Sequence, residues 1–208
     1  MVLKGVGAAA VFLLLGNLAI IAASFWARHT TSAPQPAPIA GIDNLRAVDG
    51  RVWRGAAPTA DGYRGLADAG IATVVDLRAE EGIEPDVRTV TDLGMKLVRL
   101  PIRDGQTPSA EEVQAFLAAV NESDGPVFVH CGAGVGRTGA MVGAYQVARG
   151  ELTASTALRH NLAVGPPSLE QIAFVAGMDE DRLDRPGPVV TAVSRVLDAP
   201  RRFWSRVG

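Results

Sequence analysis

The sequence predicts an α/β fold, a central and mostly parallel sheet of four to five strands flanked by helices, with an N-terminal transmembrane helix. Short β-branched runs alternate with segments of helical periodicity, which is typical of a parallel sheet covered by helices. The run from Gly5 to Ala27 carries no charge and is long enough to cross a bilayer. A hydrophobic content of 48% and a net charge of −2 indicate a globular protein rather than a disordered or nucleic-acid-coating chain.

Four strands are predicted from β-branched and apolar runs. They are RVWRG, IATVVDLR, MKLVRLPI and PVFVH, which begin at residues 51, 71, 95 and 126. A sheet of this kind binds ligands beyond the carboxyl ends of its strands, so the loops after these runs are the first place to look for a site.

The segments between the strands have helical periodicity. A helix through Tyr63 and Leu66 is expected to stop at Gly70, and a second spans 85–93. Ser109 and Glu112 have the spacing of a capping box at the start of a third helix. Further helices are predicted over 137–150, 153–163 and 168–178.

The chain is expected to have four parts: an anchor or signal (1–28), a Pro- and Ala-rich linker (29–42), a folded domain (43–180) and a basic tail (181–208). We favour an uncleaved single-pass anchor; a cleaved export signal and a buried core helix are the alternatives. Flanking positive charge is nearly balanced, so the side of the membrane that the domain occupies stays open.

The only cysteine, Cys131, lies between the apolar run of the fourth strand and a glycine-rich loop, VFVHCGAGVGRTGA. Loop amides and the following helix N-terminus can bind an anion, and Arg137 can bind two phosphate oxygens at once. The predicted phosphate-binding residues are those of this loop: Gly132, Ala133, Gly134, Val135, Gly136 and Arg137.

The same positive field favours a thiolate, so Cys131 is predicted to be an ionised nucleophile. Thr138 is predicted to donate its hydroxyl to the sulfur and help it leave in a second step. The other interpretation, an inert cysteine packed under a glycine turn, is disfavoured by the adjacent Arg137 and Thr138.

The segment HCGAGVGRTG resembles the His-Cys-x5-Arg-Thr signature of the cysteine-dependent protein tyrosine and dual-specificity phosphatases. GRVWRGAAPT resembles the opening region of compact dual-specificity phosphatases, with Trp53 and Ala56 as departures, and TVVDLR resembles a strand that they share. PIRDGQTPS resembles the general-acid loop of kinase-associated phosphatases. The resemblance covers about residues 43–178. It implies a tyrosine phosphatase-like fold and the removal of phosphate from phosphoproteins through a phosphocysteine intermediate.

The resemblance implies Asp104 as the general acid, because cleavage of a phosphate ester expels an oxygen that needs a proton. Its position after the third strand agrees with this role, although Asp-Gly is also a common turn pair. Asp76 and Glu80 are the rival candidates. The resemblance also implies that His130 orders the loop by hydrogen bonds without transferring protons.

Four other polar residues have predicted roles near the site. Arg78 either reaches substrate anions or is a solvated charge, and Arg54 is expected to be structural. Asn161 and Gln171 lie where related enzymes place loop-supporting or water-positioning groups. The three histidines are scattered and the cysteine is single, so no metal or other cofactor is implied.

Val135 stands where relatives that act on inositol phosphates commonly carry lysine, which favours a singly phosphorylated group such as phosphotyrosine. Activity on phosphoserine or phosphothreonine stays open. The alternative functions are a rhodanese-like sulfurtransferase, a phosphoinositide or inositol phosphate phosphatase, and a non-catalytic phosphopeptide-binding module.

The basic tail has apolar residues at helical spacing between Val190 and Leu197. Such a segment either lies on an anionic membrane surface or packs on the domain. The sequence does not decide between these two placements.

Overall fold

The structure is a computed structural model, and it describes residues 2–31, 36–80, 84–179 and 182–207. The strands are β1 (Arg46–Ala47), β2 (Val52–Ala56), β3 (Thr73–Arg78), β4 (Lys96–Ile102) and β5 (Val127–Cys131). The helices are α1 (Val2–Thr30), α2 (Ala60–Asp68), α3 (Glu84–Asp92), α4 (Ala110–Glu122), α5 (Gly136–Ala148), α6 (Ala154–Val164), α7 (Leu169–Ala176) and α8 (Pro188–Val207).

The five strands form one sheet in the order β1-β2-β5-β3-β4. β2, β5, β3 and β4 run parallel, and β1 pairs antiparallel with β2 at the edge. The central strand β5 is buried along its whole length, which explains its unbroken apolar run VFV. The predicted α/β fold class is confirmed.

Two apolar clusters cover the two faces of the sheet. One joins the sheet to α4, α5 and α7 through side chains such as Phe116, Tyr145 and Phe174. The other joins it to α2 and α3 through Tyr63 and Val90. Each face is therefore closed by helices, and ligands can approach the sheet only from its edges.

The helices begin and end close to the predicted positions. Ser109 and Glu112 form the predicted capping box on α4, with the Ser109 amide donating to Glu112 Oε2 over 2.6 Å. Ser168 caps α7 in the same way with Gln171. Strand β1 was not predicted, because two residues are too few to leave a periodic pattern.

The structure describes helix α1 and the residues just before the folded domain. Helix α1 continues to Thr30, two residues past the expected anchor, and Ile42, expected in the linker, is buried in the second apolar cluster. Ile42 belongs to the same apolar cluster as Tyr63 and Leu66 of α2. Packing of the domain thus begins before residue 43.

Helix α1 contains a stretch, Val11–Thr30, that is long and apolar enough to cross a membrane. One side of it packs along the domain, where Asn17 donates to the Leu197 carbonyl and Ser24 donates to the Leu162 carbonyl. The opposite side exposes large apolar side chains, among them Phe12, Leu15, Leu18, Phe25 and Trp26.

Candidate active site

Three parallel strands end at the same edge of the sheet, and their loops meet there. The loop after β3 carries Glu80, the loop after β4 carries Asp104, and β5 ends at Cys131. Because parallel strands share one carboxyl edge, residues far apart in sequence are brought around one point. This edge holds the predicted nucleophile and the predicted acid.

Cys131 is the last residue of β5 and only 3% of its surface is exposed. The turn that follows is fixed to strand β2, since the Ala57 amide donates to the Gly132 carbonyl over 2.9 Å. Gly134 has a φ of +68°, and a Cβ at this position would collide with the backbone of Gly55 and Ala56. Only glycine fits this close approach.

Helix α5 begins directly after this turn, at Gly136. Its N-cap, Val135, provides no side-chain hydrogen bond, so the first amides of the helix are not satisfied by a capping side chain. Amides in this position, together with the helix dipole, favour a bound anion. Of the other predicted phosphate-binding residues, Ala133 lines the cavity described below, and Gly132 and Gly134 shape the turn.

A cavity of about 70 Å³ opens at this point. The catalytic loop contributes Cys131, Ala133, Val135, Gly136 and Arg137 to its wall. The acid loop contributes Asp104 and Gly105, and the remaining wall comes from Pro166, Pro167, Ser168, Gln171 and Asp198. The predicted nucleophile, arginine and acid therefore share one small cavity.

Arg137 is buried, and its guanidinium joins the three loops. Nη1 donates to Glu80 Oε2 over 2.7 Å and to the Ile102 carbonyl over 3.1 Å, and Nη2 lies 3.5 Å from Asp104 Oδ1. Its buried Nε has no hydrogen-bond partner among the described residues. A buried donor without a partner at the wall of a cavity fits the position of a phosphate oxygen.

Glu80 was considered a rival acid, but its contact with Arg137 indicates a different role. Burial opposes its ionisation, yet the hydrogen bond and charge of Arg137 outweigh burial and hold the pKa of Glu80 below its usual value. Burial also opposes the charge of Arg137, and the bond from Glu80 outweighs it, so the pKa of Arg137 is raised. The contact and the lowered pKa fit a charged residue that positions Arg137 better than they fit a proton donor.

Asp104 lies at the mouth of the cavity with 60% of its side chain exposed. Its loop is fixed by the N-terminus of α7: Ser168 Oγ donates to the Gly105 carbonyl over 2.8 Å, and Gln171 Nε2 donates to the Gln106 carbonyl over 2.9 Å. The other rival, Asp76, is buried and accepts hydrogen bonds from Arg78 away from this cavity. Of the three carboxylates, Asp104 alone lines the cavity.

His130 is completely buried, stacked on Phe128 and edge-on to Tyr63. Its Nδ1 lies 3.3 Å from the Cys131 carbonyl oxygen, and its Nε2 has no partner among the described residues. Burial lowers the pKa of His130 to about 4, although Asp76 acts against this shift. The imidazole is neutral at pH 7 and contacts the backbone of the nucleophile, as a loop-ordering residue would.

Thr138 is also buried, at the start of α5. Its hydroxyl has no hydrogen-bond partner within the part of the chain that the structure describes, so the predicted bond to the Cys131 sulfur is not formed in this state.

Arg54, Asn161 and Gln171 lie around the catalytic loop, whereas Arg78 does not. Arg54 Nη2 donates to the Gly134 carbonyl over 2.8 Å, so Arg54 supports the loop directly. Asn161 packs so closely on Gly139 that no side chain would fit there, and Gln171 lines the cavity. Arg78 does not reach the cavity, because Asp76 and Asp86 hold its guanidinium.

The sequence did not reveal that α7 and α8 complete the cavity. Pro166 and Pro167 precede α7, and Asp198 reaches the wall from α8, where Ser194 Oγ lies 3.2 Å from Asp198 Oδ2. No local pattern in the sequence marks Asp198 for this position. In the described ranges, no group of three or more His, Cys, Asp or Glu side chains is placed to hold a metal ion.

A parallel sheet that presents a cysteine, a glycine turn and a buried arginine at the start of a helix defines the cysteine-based tyrosine and dual-specificity phosphatases. The chain belongs to this superfamily: the family described as DSP-PTPase phosphatase fused to NAD+ kinase matches residues 41–177.

The curated relatives agree with this assignment. A tyrosine-protein phosphatase CDC14 homolog of Schizosaccharomyces pombe is 30% identical over 128 residues, which cover 56% of this chain and 24% of the relative. NAD kinase 2, chloroplastic, of Arabidopsis thaliana is 38% identical over 96 residues, which cover 43% of this chain. The chain spans about a tenth of the length of that relative.

Solved structures share the fold. The core catalytic domain of the PP-IP phosphatase SIW14 from S. cerevisiae has a TM-score of 0.58 at 18% identity, covering 73% of this chain and 91% of its own. TpbA of P. aeruginosa has a TM-score of 0.56 at 20% identity, covering 74% of this chain and 94% of its own.

Proposed function

We propose that this chain removes phosphate from phosphotyrosine-containing proteins through a phosphocysteine intermediate. The observation that carries the proposal is the single cavity lined by Cys131, Arg137 and Asp104. The similarity to a tyrosine-protein phosphatase CDC14 homolog supports the same activity.

In the first step, the Cys131 thiolate attacks phosphorus while the bond from phosphorus to the leaving oxygen breaks. Asp104 gives its proton to that oxygen, so the leaving group departs neutral. Arg137 and the amides at the start of α5 hold the other phosphate oxygens, where charge must be stabilised throughout the transfer. The product of this step is phosphocysteine and a free hydroxyl.

In the second step, water attacks the phosphocysteine and Asp104, now ionised, takes its proton. The bond between sulfur and phosphorus breaks, inorganic phosphate leaves, and the thiolate is restored. We propose that the Thr138 hydroxyl turns toward the sulfur in this step and donates to the thiolate as it forms. Its buried oxygen has no competing partner among the described residues.

The cavity favours a single phosphoryl group. A volume of about 70 Å³ suits one phosphoryl group, and the rest of any substrate would lie outside it. Val135 and two prolines line it, and no lysine does. We therefore propose phosphotyrosine as the preferred group and inositol polyphosphates as poor substrates.

The test is a phosphatase assay of the full chain in detergent, with phosphotyrosyl and phosphothreonyl peptides and inositol hexakisphosphate as substrates. We expect turnover of the phosphotyrosyl peptide and a Cys131→Ser variant that binds this peptide without turnover. Faster turnover of inositol hexakisphosphate would reverse the substrate assignment. Thiosulfate turnover without phosphatase activity would indicate a sulfurtransferase.

We also propose that α1 attaches the chain to a membrane through its exposed apolar side. Expressed full-length chain should then stay in the membrane pellet after an alkaline carbonate wash, and detergent should release it. Recovery in the carbonate supernatant would contradict membrane insertion. Protease treatment of sealed vesicles reports which side carries the domain.

A further inference from the structure

A second and larger cavity, of about 370 Å³, lies between the end of α1, the β1–β2 hairpin, α5 and α6. Among the residues that the structure describes, none lines both this cavity and the catalytic one. The proposed function makes no use of it.

Basic side chains dominate the polar part of its wall. Arg28 comes from α1, Arg46 from β1 and Arg54 from β2, and His160 from α6 joins them. Among the described residues that line the cavity, Glu151 is the single carboxylate, and it accepts a hydrogen bond from Arg149 over 2.6 Å. The polar wall therefore suits an anion.

Arg54 is the residue that connects this cavity to the catalytic loop. It is 4% exposed, and its Nη2 donates to the carbonyl oxygens of Gly134 and Val135 over 2.8 and 3.3 Å. Its Nε is buried and has no partner among the described residues, and neither has the Thr31 hydroxyl, which lines the same cavity. Buried donors of this kind call for a ligand or an ordered water.

The charges of the arginines also indicate that the cavity suits an anion. Burial lowers the pKa of Arg54 to about 10, with Cys131 acting against the shift and Arg46 adding to it. Burial, followed by the charge of Arg28, lowers the pKa of Arg46. The charge of Arg46 thus disfavours the charge of Arg54, and a bound anion would relieve this repulsion.

The remaining wall is apolar and includes Val48, Val142 and Leu152. A volume of about 370 Å³ lies within the range of small-molecule sites and exceeds what an inorganic ion fills. The ligand should therefore carry both an anionic group and a carbon skeleton.

We propose that this cavity is a second anion site, which binds the phosphate of an organic phosphate ester through Arg28, Arg46 and Arg54. The ester is either a soluble compound or a lipid head group, since the apolar stretch of α1 ends at Thr30 beside the cavity. The proposal does not depend on phosphatase activity, because none of the lining residues belongs to the catalytic cavity.

The test uses the full chain in a non-ionic detergent, with Cys131→Ser and Arg137→Met introduced together to silence the catalytic cavity. Calorimetry measures binding of glycerol 3-phosphate in one arm. In the other arm it measures dihexanoyl phosphatidylglycerol against dihexanoyl phosphatidylcholine. We expect about one equivalent of an anionic probe to bind, and binding of the lipid alone would identify the head group as the source.

Arg46→Met and Arg28→Met should each weaken binding roughly tenfold or more, as expected for the loss of a charge-assisted hydrogen bond. The exposed Arg88→Met, made in the same background, should leave the affinity unchanged. These variants spare the buried Arg54, and thermal unfolding of each variant beside the parent checks that the fold is retained. The proposal would be overturned if neither anionic probe bound. It would also be overturned if the Arg28 and Arg46 variants bound the probe as tightly as the parent chain.

Discussion

Asp104 Oδ1 lies 3.5 Å from Arg137 Nη2 at the mouth of the catalytic cavity. The carboxylate is largely exposed while the guanidinium is buried, so the acid can meet the leaving oxygen at the rim as Arg137 holds the phosphate within. The α7 N-terminus fixes the backbone of the acid loop at Gly105 and Gln106. In the proposed mechanism, Arg137 binds the phosphate and Asp104 transfers the proton, so the two tasks fall to different side chains.

Asp104→Asn should therefore lower kcat for a phosphotyrosyl peptide by roughly 10²- to 10⁴-fold, because the leaving oxygen no longer receives a proton. The affinity of the variant for vanadate should stay close to wild type. Steady-state kinetics beside the exposed Asp92→Asn control measure the change. Unchanged kcat would remove Asp104 from the mechanism.

Arg137→Lys should weaken vanadate binding by about tenfold or more, since an ammonium cannot replace a planar fork that contacts Glu80 and the bound oxyanion together. Inhibition constants for vanadate, compared with those of Arg88→Lys, measure the effect. Equal inhibition of both variants would show that the loop amides alone bind the oxyanion.

Gly134→Ala should abolish most of the activity, because the added methyl group meets the backbone of Gly55 at a φ of +68°. The turn must shift, and the loop amides shift with it. Gly50→Ala, where nothing lies within 4 Å of the new methyl group, is the matched control and should behave as wild type. A Gly134→Ala variant with wild-type activity would contradict the prediction, because the turn would then accept a different backbone conformation without loss of function.

His130 should make the folded state less stable as the solution is acidified. Burial lowers its pKa to about 4 in the folded state, while an unfolded histidine titrates near 6.5, so between these values only the unfolded chain binds the proton. Stability is therefore lost as the pH falls from 6.5 to 4, by up to about 3 kcal/mol.

Urea unfolding of wild type and His130→Asn at several pH values checks this prediction. The variant is expected to be less stable at pH 7 but to lose less stability on acidification. The exposed His29→Asn should keep the wild-type dependence. An identical pH slope in His130→Asn would contradict a depressed pKa for His130.

Local patterns in the sequence predicted the strands of the sheet, the cysteine loop and the acid loop, because each of these features depends on residues that are adjacent in the sequence. VFVHC is buried on both faces, and the glycine turn follows it directly. The capping box of Ser109 and Glu112 is equally local. In such segments periodicity and turn residues are enough to indicate the type of element.

The sequence did not predict contacts between distant segments. The hydrogen bond from Arg137 to Glu80 joins residues 57 positions apart. In the sequence, a carboxylate that follows a strand gives no sign of whether it donates a proton or positions an arginine. The place of Asp198 in the cavity wall depends on how α8 packs against α7, which periodicity alone does not decide. Which side of helix α1 packs against α6 is likewise not evident from the sequence.

The proposed mechanism requires Cys131 to carry the phosphoryl group. The most direct measurement mixes the full chain with an aryl phosphate, quenches in acid within milliseconds and locates the modification by mass spectrometry. We expect one phosphoryl group on Cys131 that disappears once the substrate is consumed. Phosphate release without a modified Cys131, continuing at the wild-type rate in Cys131→Ser, would contradict it.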